Sequence, residues 1–96
     1  YYGIYANGTS SVNAGGLDVW QISNNIIGPA SSGTNNIGAA GIYMQNAAYI
    51  QISANLIRNV NTSASSNIGG IYLAANVMTL VVSQNTINAF TSSASS

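Results

Sequence analysis

Short segments of this chain alternate apolar and polar side chains, and one such segment recurs at a fixed interval. Tyr-Ile-Gln-Ile-Ser-Ala-Asn-Leu-Ile at residues 49–57 is matched by residues 19–27 and again by residues 79–87. The serines of these segments are equally spaced along the chain, and their asparagines keep the same interval. Self-similarity at a period of about 20 to 50 residues indicates a repeat protein, in which each unit buries its apolar face against its neighbours.

A second recurring motif, Gly-Ile-Tyr, precedes each of these segments and marks the start of a three-strand repeat, here called a rung. The three rungs are about residues 3–40, 41–69 and 70–96, roughly 29–38 residues each. Within the middle rung, alternation with a period of two predicts strands at residues 41–45, 49–53 and about 56–60, with a turn at Ala54-Asn55. A helix is disfavoured because the period is two and because Gly and Asn interrupt the segments.

Stacking of successive rungs about 4.8 Å apart places like side chains above one another and forms parallel sheets. The alternation also predicts which columns of side chains form the apolar core. These columns are Ile4, Ile42 and Ile71; Ala6, Met44 and Leu73; Trp20, Ile50 and Leu80; Ile22, Ile52 and Val82; and Ile27, Ile57 and Ile87. The sequence therefore predicts an all-β fold, a parallel β-helix (β-solenoid) of about three rungs that forms one domain over residues 1–96.

Two segments break the regularity, and the chain length itself fits the repeat. Residues 7–15 form an insertion into the first rung, beginning with the turn-forming dipeptide Asn7-Gly8. Residues 28–33 hold the only proline and are predicted to form a loop off the sheet. The glycines of the three Gly-Ile-Tyr motifs are residues 3, 41 and 70. If a second copy of the sequence followed Ser96 directly, its first motif would come 29 residues after Gly70, the same spacing that separates Gly41 from Gly70. We infer an uncapped unit that is followed by itself, either in a covalent tandem array or head-to-tail as stacked subunits.

The low charge content limits the functions that are possible. Charged residues make up 2% of the chain, Asp18 and Arg58 are the only ones, and cysteine and histidine are absent. Glycoside hydrolysis needs two carboxylates and calcium sites need several oxygen ligands, so we predict no enzyme, no cofactor and no metal site. Nucleic acid binding and membrane insertion are not expected either, because phosphates require Lys or Arg and a span requires about 20 apolar residues. Asp18 and Arg58 are predicted to be solvated surface charges.

One polar column is predicted to be structural. Asn25, Asn55 and Asn85 follow the second strand of each rung at the fixed interval of the repeat. Asparagine tolerates the left-handed backbone conformation that a sharp turn demands. Stacked amides also donate and accept hydrogen bonds along the column. We therefore predict an asparagine ladder at this turn.

An aromatic column is the main candidate for contact with a partner. Tyr5, Tyr43 and Tyr72 are predicted to share the outward face of the first strand, where stacked rings can contact sugars or another fibre. The alternative is that these rings only stack on each other or pack beneath the loops between rungs. Asn7 and Gly8 are further candidate surface contacts because they belong to the insertion of the first rung.

The pattern Gly-Ile-Tyr followed by Ile-Ser-x-Asn-x-Ile resembles the parallel β-helix repeat of the pectate-lyase-like superfamily. It is most similar to the Ser-, Thr-, Asn- and Gly-rich repeats of very large bacterial surface adhesins and filaments. The resemblance implies a right-handed helix, in agreement with the right-handed rule for parallel crossovers. It also implies an extracellular or cell-surface location.

Three functional hypotheses follow from these observations. The first is a structural unit of an extracellular β-solenoid filament or adhesin shaft, whose partner is itself through head-to-tail stacking, tandem linkage or lateral bundling. The alternative is a carbohydrate- or surface-binding module that uses the tyrosine column, with glycans as partners. An ice-binding face is a more distant hypothesis, because the outward columns of the second strand show no regular Thr array.

Overall fold

The computed structural model of the chain describes residues 2–8, 19–31, 33, 36–63 and 68–92. These ranges form nine β-strands and contain no helix, so they offer no helix that could cross a membrane. The strands are β1 (Tyr2–Asn7), β2 (Val19–Ser23), β3 (Ile26–Ile27), β4 (Ala40–Gln45), β5 (Ala47–Ser53), β6 (Leu56–Thr62), β7 (Gly69–Leu73), β8 (Val77–Ser83) and β9 (Thr86–Ser92).

The strands form three sheets of three strands each, in the orders β1-β4-β7, β2-β5-β8 and β3-β6-β9. All pairings between them are parallel. Strands that are consecutive in the chain lie in different sheets, and each strand pairs with the strand three places later. The predicted all-β architecture with parallel sheets is confirmed. In the middle rung, the three predicted strands fall within β4, β5 and β6.

The sheets pair in register, so equivalent residues of successive rungs lie side by side. Because side chains alternate between the two faces of a strand, this register keeps every core residue on the core side of the next rung. The observed columns include Tyr5, Tyr43 and Tyr72 in the first sheet, Trp20, Ile50 and Leu80 in the second, and Ile27, Ile57 and Ile87 in the third. The predicted stacking of like on like is therefore present in all three sheets.

A single apolar cluster contains buried side chains from all three sheets. Ile42 of the first sheet, Ile52 of the second and Ile57 of the third are each 0% exposed. Full burial of such a side chain contributes about 1.5–3 kcal/mol to stability. Trp20 packs against this cluster but is only partly buried. Its predicted place in the core is therefore confirmed only in part.

The glycine of each Gly-Ile-Tyr motif allows the first and third sheets to approach closely. A Cβ atom on Gly41 would overlap the Ile57 side chain and lie 2.7 Å from the Gly70 carbonyl oxygen. Glycines 3 and 70 meet isoleucines 27 and 87 in the same way. Glycine is therefore required in this column because there is no room for a Cβ atom, and not because of the backbone conformation. The isoleucine of the third strand occupies the space that a side chain would need.

In the first rung the third strand is short, and the proline-containing segment after it leaves the sheet, as predicted. β3 has two residues, and after it Gly28 turns away from the sheet with φ of 103°. The chain returns at Ile37, which bridges to Val60 of β6 and is buried. Of the predicted insertion at residues 7–15, Asn7 ends β1 and the Gly8 N–H donates to the Gln45 carbonyl oxygen at 3.1 Å; the remainder lies outside the described residues.

Replacing Gly41 with alanine tests whether the close approach of the two sheets depends on the glycine. Overpacking of a tightly fitted core costs about 1–3 kcal/mol, so we expect Gly41→Ala to lower the free energy of unfolding by that amount. Denaturant unfolding followed by circular dichroism measures this loss. Gly33→Ala is the matched control, because a Cβ atom there would meet nothing within 4 Å. Equal effects of the two substitutions would contradict the proposed role of the glycine column.

Candidate functional site

Asn25, Asn55 and Asn85 lie at the turn between the second and third strands of each rung and hydrogen-bond to one another. The main-chain N–H and the side-chain amide of Asn25 donate to Asn55 Oδ1 at 3.1 and 3.0 Å. Asn55 makes the same two bonds to Asn85 Oδ1 at 3.0 and 2.9 Å. The Nδ2 atoms of Asn55 and Asn85 also donate to the carbonyl oxygens of Ile22 and Ile52 at 2.9 and 2.8 Å. Because Asn55 is only 2% exposed, these bonds replace the water that its amide loses.

The sequence predicts that these asparagines themselves adopt the left-handed backbone conformation, and this prediction is wrong. In each turn the left-handed residue is the one before the asparagine, namely Asn24, Ala54 and Gln84, with φ of 59°, 55° and 56°. Ala54 adopts this conformation although it costs a residue with a Cβ atom about 1–2 kcal/mol. The preceding residue therefore bends the chain, and the asparagine stabilises the bend through side-chain hydrogen bonds.

A second asparagine ladder, which the sequence analysis missed, connects the ends of the first strands. Asn46 Nδ2 donates to Asn7 Oδ1 and Asn76 Nδ2 donates to Asn46 Oδ1, both at 2.8 Å. Donation here runs from later rungs to earlier ones, opposite to the direction in the first ladder. Asn46 and Asn76 are left-handed, with φ of 53° and 61°. Asn76 follows Asn46 at the same interval that separates Asn55 from Asn25, and this was the signal in the sequence that could have revealed them.

The rings of Tyr5, Tyr43 and Tyr72 form a continuous stack. Centroid distances are 5.0 Å between the first two rings and 5.5 Å between the last two, with interplanar angles of 10° and 11°. Tyr2 lies tilted against this stack, 5.4 Å from Tyr5 and 4.9 Å from Tyr43. Tyr43 is 8% exposed whereas Tyr5 is 54% exposed. The faces of the central ring are therefore covered by its neighbours, and the rings of the first rung are the accessible ones.

Hydrogen bonds and burial also hold the central tyrosine. Its hydroxyl donates to Gln45 Oε1 at 2.9 Å, and Gln45 Nε2 donates to the Tyr5 hydroxyl at 3.4 Å. Burial raises the pKa of Tyr43 above its ordinary value of 10.0, and the neighbouring tyrosines Tyr5, Tyr2 and Tyr72 raise it further. A negative charge on this phenol would be poorly solvated and close to other phenols, so the folded chain favours the neutral form.

The one described charged side chain holds a loop in place. Arg58 is half-buried, and its Nε donates to the Gly28 carbonyl oxygen at 2.9 Å, so the predicted surface charge is partly exposed and also bonded to the main chain. Asn59 Nδ2 donates to the Pro29 carbonyl oxygen at 2.7 Å, and both bonds tie the loop after β3 to the middle rung. Asp18 lies outside the described residues. Within the described ranges, no group of three or more His, Cys, Asp or Glu residues could hold a metal ion.

The third rung presents its core-facing side chains to solvent. Val82 and Ile87 are 44% and 49% exposed, whereas their counterparts in the middle rung, Ile52 and Ile57, are 0% exposed. In the first rung the equivalent Ile27 is 6% exposed. The two ends of the stack therefore differ, and the open apolar layer is at the third rung.

Comparisons with known proteins found no family model, no curated protein and no solved structure that matches this chain. The resemblance to the pectate-lyase-like superfamily therefore stays a prediction.

The buried ladder is expected to contribute more to stability than the exposed one. Asn55→Ala leaves the buried Ile22 carbonyl oxygen and the half-buried Asn25 amide groups without their partner. An unsatisfied buried group costs about 1–3 kcal/mol, and the Asn25 groups cost less because water can reach them. We expect a loss of about 2–3 kcal/mol in the free energy of unfolding, measured by denaturant unfolding. Asn46→Gly is the control, because glycine keeps the left-handed backbone while removing an amide whose hydrogen bonds are exposed. Its loss should stay below about 1 kcal/mol. The reverse order of the two losses would contradict this interpretation.

The tyrosine stack should make the protein sensitive to alkali. A phenol whose pKa is higher in the folded than in the unfolded state stabilises the fold below pH 10.0 and loses that contribution as pH rises through the folded value. We expect the free energy of unfolding to fall above pH 10.0, and to fall less steeply in Tyr43→Phe. A slope in Tyr43→Phe as steep as in the unmodified chain would refute the assignment.

Proposed function

We propose that this chain is a structural unit of a right-handed parallel β-helix, the shaft of an extracellular filament or cell-surface adhesin, whose partner is a further copy of the same unit. The strand order supports a helical path, because the chain visits three sheets in turn and returns to the first after each rung. Parallel crossovers of this kind are right-handed in nearly all known cases. The role is non-enzymatic and uses no cofactor.

The observation that carries the proposal is the open face of the third rung. Val82 and Ile87 continue the core columns and yet are 44% and 49% exposed. In the described part of the chain, β7, β8 and β9 each pair with one strand only, so their other edges are free. An apolar layer bordered by free parallel strand edges is a template for the addition of further strands.

Both asparagine ladders also support a further copy of the chain as the partner. At the third rung, each ladder leaves a hydrogen-bonding group without a partner among the described residues. Among the described residues the Asn85 main-chain N–H has no acceptor, whereas that of Asn55 bonds to the next Oδ1. Asn76 Oδ1 likewise accepts no bond from the described residues, whereas Asn46 Oδ1 accepts one. A second copy stacked at the same interval would bring one first-rung asparagine from each ladder to these two groups.

The register of the existing sheets indicates how a second copy would add. Tyr43 lies beside Tyr5 and Tyr72 lies beside Tyr43. A copy added in the same register would place its Tyr5 on Tyr72 and extend the core columns. The same register serves a covalent tandem array and a head-to-tail stack.

A binding role for the tyrosine column has weaker support. A sugar that stacks on an aromatic ring needs a free ring face, and the faces of Tyr43 are occupied by Tyr5 and Tyr72. The arrangement therefore favours the alternative in which the rings stack on each other.

Two adjacent valines of β8 allow a matched test of assembly. Val82 belongs to the core columns and Val81 points to the opposite face, and they are 44% and 53% exposed. An unpaired aspartate buried between copies loses its hydration, so we expect Val82→Asp to abolish association while Val81→Asp leaves it intact. Sedimentation velocity measures the association, and circular dichroism checks that both variants keep their strands.

The native material gives an independent test of the same proposal. Electron microscopy should show a fibre with an axial repeat of about 14 Å per unit, since three strands are stacked about 4.8 Å apart. Intact mass of the denatured material then separates stacked subunits near 9.8 kDa from a longer tandem array. A chain that stays monomeric at high concentration, or equal association of the two valine variants, would overturn the proposal.

A further inference from the structure

A cleft opens on the outward face of the second sheet, separate from the tyrosine stack, which lies on the first sheet. Its volume is about 310 Å³, at the lower end of the range of small-ligand sites. Its lining comes from all three rungs: Trp20, Gln21, Tyr49, Ile50, Gln51, Thr79 and Val81. The assembly proposed above leaves this face uncovered, because growth adds rungs at the strand edges and not on the face of the sheet.

The polar groups of the cleft are free to bind. Gln21 and Gln51 are register partners on neighbouring strands, about 4.8 Å apart along the stack. Both are exposed, and neither side chain makes a hydrogen bond to the part of the chain that the structure describes. Each amide offers two donors and an acceptor, which match hydroxyl groups that both donate and accept. Thr79, the register partner of Tyr49, adds a hydroxyl beside them.

The apolar groups of the cleft provide a flat contact next to these amides. Tyr49 is 47% exposed and Val81 is 53% exposed. Unlike Tyr43, Tyr49 stacks on no other aromatic ring in the described residues, so its ring faces are available. An aromatic ring beside side-chain amides suits a ligand with an apolar C–H face and a rim of hydroxyls.

Charge narrows the class of ligand. None of the lining residues is charged, and Arg58, in the third sheet, is already bonded to the Gly28 carbonyl oxygen. An anionic sugar or phosphate would therefore find no counter-charge on this face. We propose that the cleft binds neutral carbohydrate, with Tyr49 stacking on a sugar ring and Gln21 and Gln51 bonding to its hydroxyls.

The proposal is tested by titrating the purified chain with cellohexaose, mannohexaose and chitohexaose, with oligogalacturonate as an acidic comparison, by calorimetry. We expect at least one neutral oligosaccharide to bind and the acidic one to bind more weakly. Tyr49→Ala and Gln51→Ala should each weaken that binding by about ten-fold or more. Tyr5→Ala is the matched control and should leave it unchanged. Binding should also persist in Val82→Asp, which separates this site from assembly.

Three outcomes would overturn the proposal. One is that no neutral oligosaccharide of the panel binds. Another is that Tyr5→Ala weakens binding while Tyr49→Ala does not, which would place the site on the tyrosine stack. The third is that Tyr49→Ala and Gln51→Ala alter sedimentation but not binding, which would make this face a lateral contact between copies.

Discussion

Parallel pairing in register makes each side chain the neighbour of its own counterpart about 4.8 Å away, and the rest of the structure depends on this constraint. Like charges at this distance repel by about 1 kcal/mol even in water, and by more where burial lowers the dielectric constant. Aliphatic, aromatic and amide side chains attract their own kind instead, which is consistent with a charge content of 2%. Arg58 is compatible with the constraint because its register partner is Asn88 and it bonds to a main-chain oxygen one rung earlier.

The two asparagine ladders give the stack a direction as well as stability. In the first ladder Asn25 donates to Asn55 of the next rung, whereas in the second Asn46 donates to Asn7 of the previous rung. Among the described residues, the open end therefore presents the main-chain N–H and a side-chain N–H of Asn85 as unused donors and Asn76 Oδ1 as an unused acceptor. A strand edge of unrelated sequence could pair with the exposed strand but would leave these groups without partners, and unpaired polar groups discriminate against wrong partners.

The regular part of the fold could be predicted because a constant spacing between repeats determines which residues pair in the sheets. The constant spacing of the repeat placed Ile57 on Ile27, and alternation assigned both to the core. Features that depend on irregular geometry could not be predicted. The left-handed position is occupied by residues as different as Ala54 and Gln84, and the bond from Arg58 depends on where a loop leaves the sheet. The cleft likewise depends on how far side chains on the outward face project, which alternation alone does not give.

The close packing of glycine 41 against isoleucine 57 fixes the cross-section of the molecule. Stacked sheets of this kind can be extended by whole rungs, but the distance between the first and third sheets cannot be reduced where glycine and isoleucine already meet. In the described residues, new sequence enters between strands, as where the chain leaves the third sheet at Gly28 and bridges to it again at Ile37. The connections between strands are thus the positions at which such a protein can change its surface through evolution while its core stays constant.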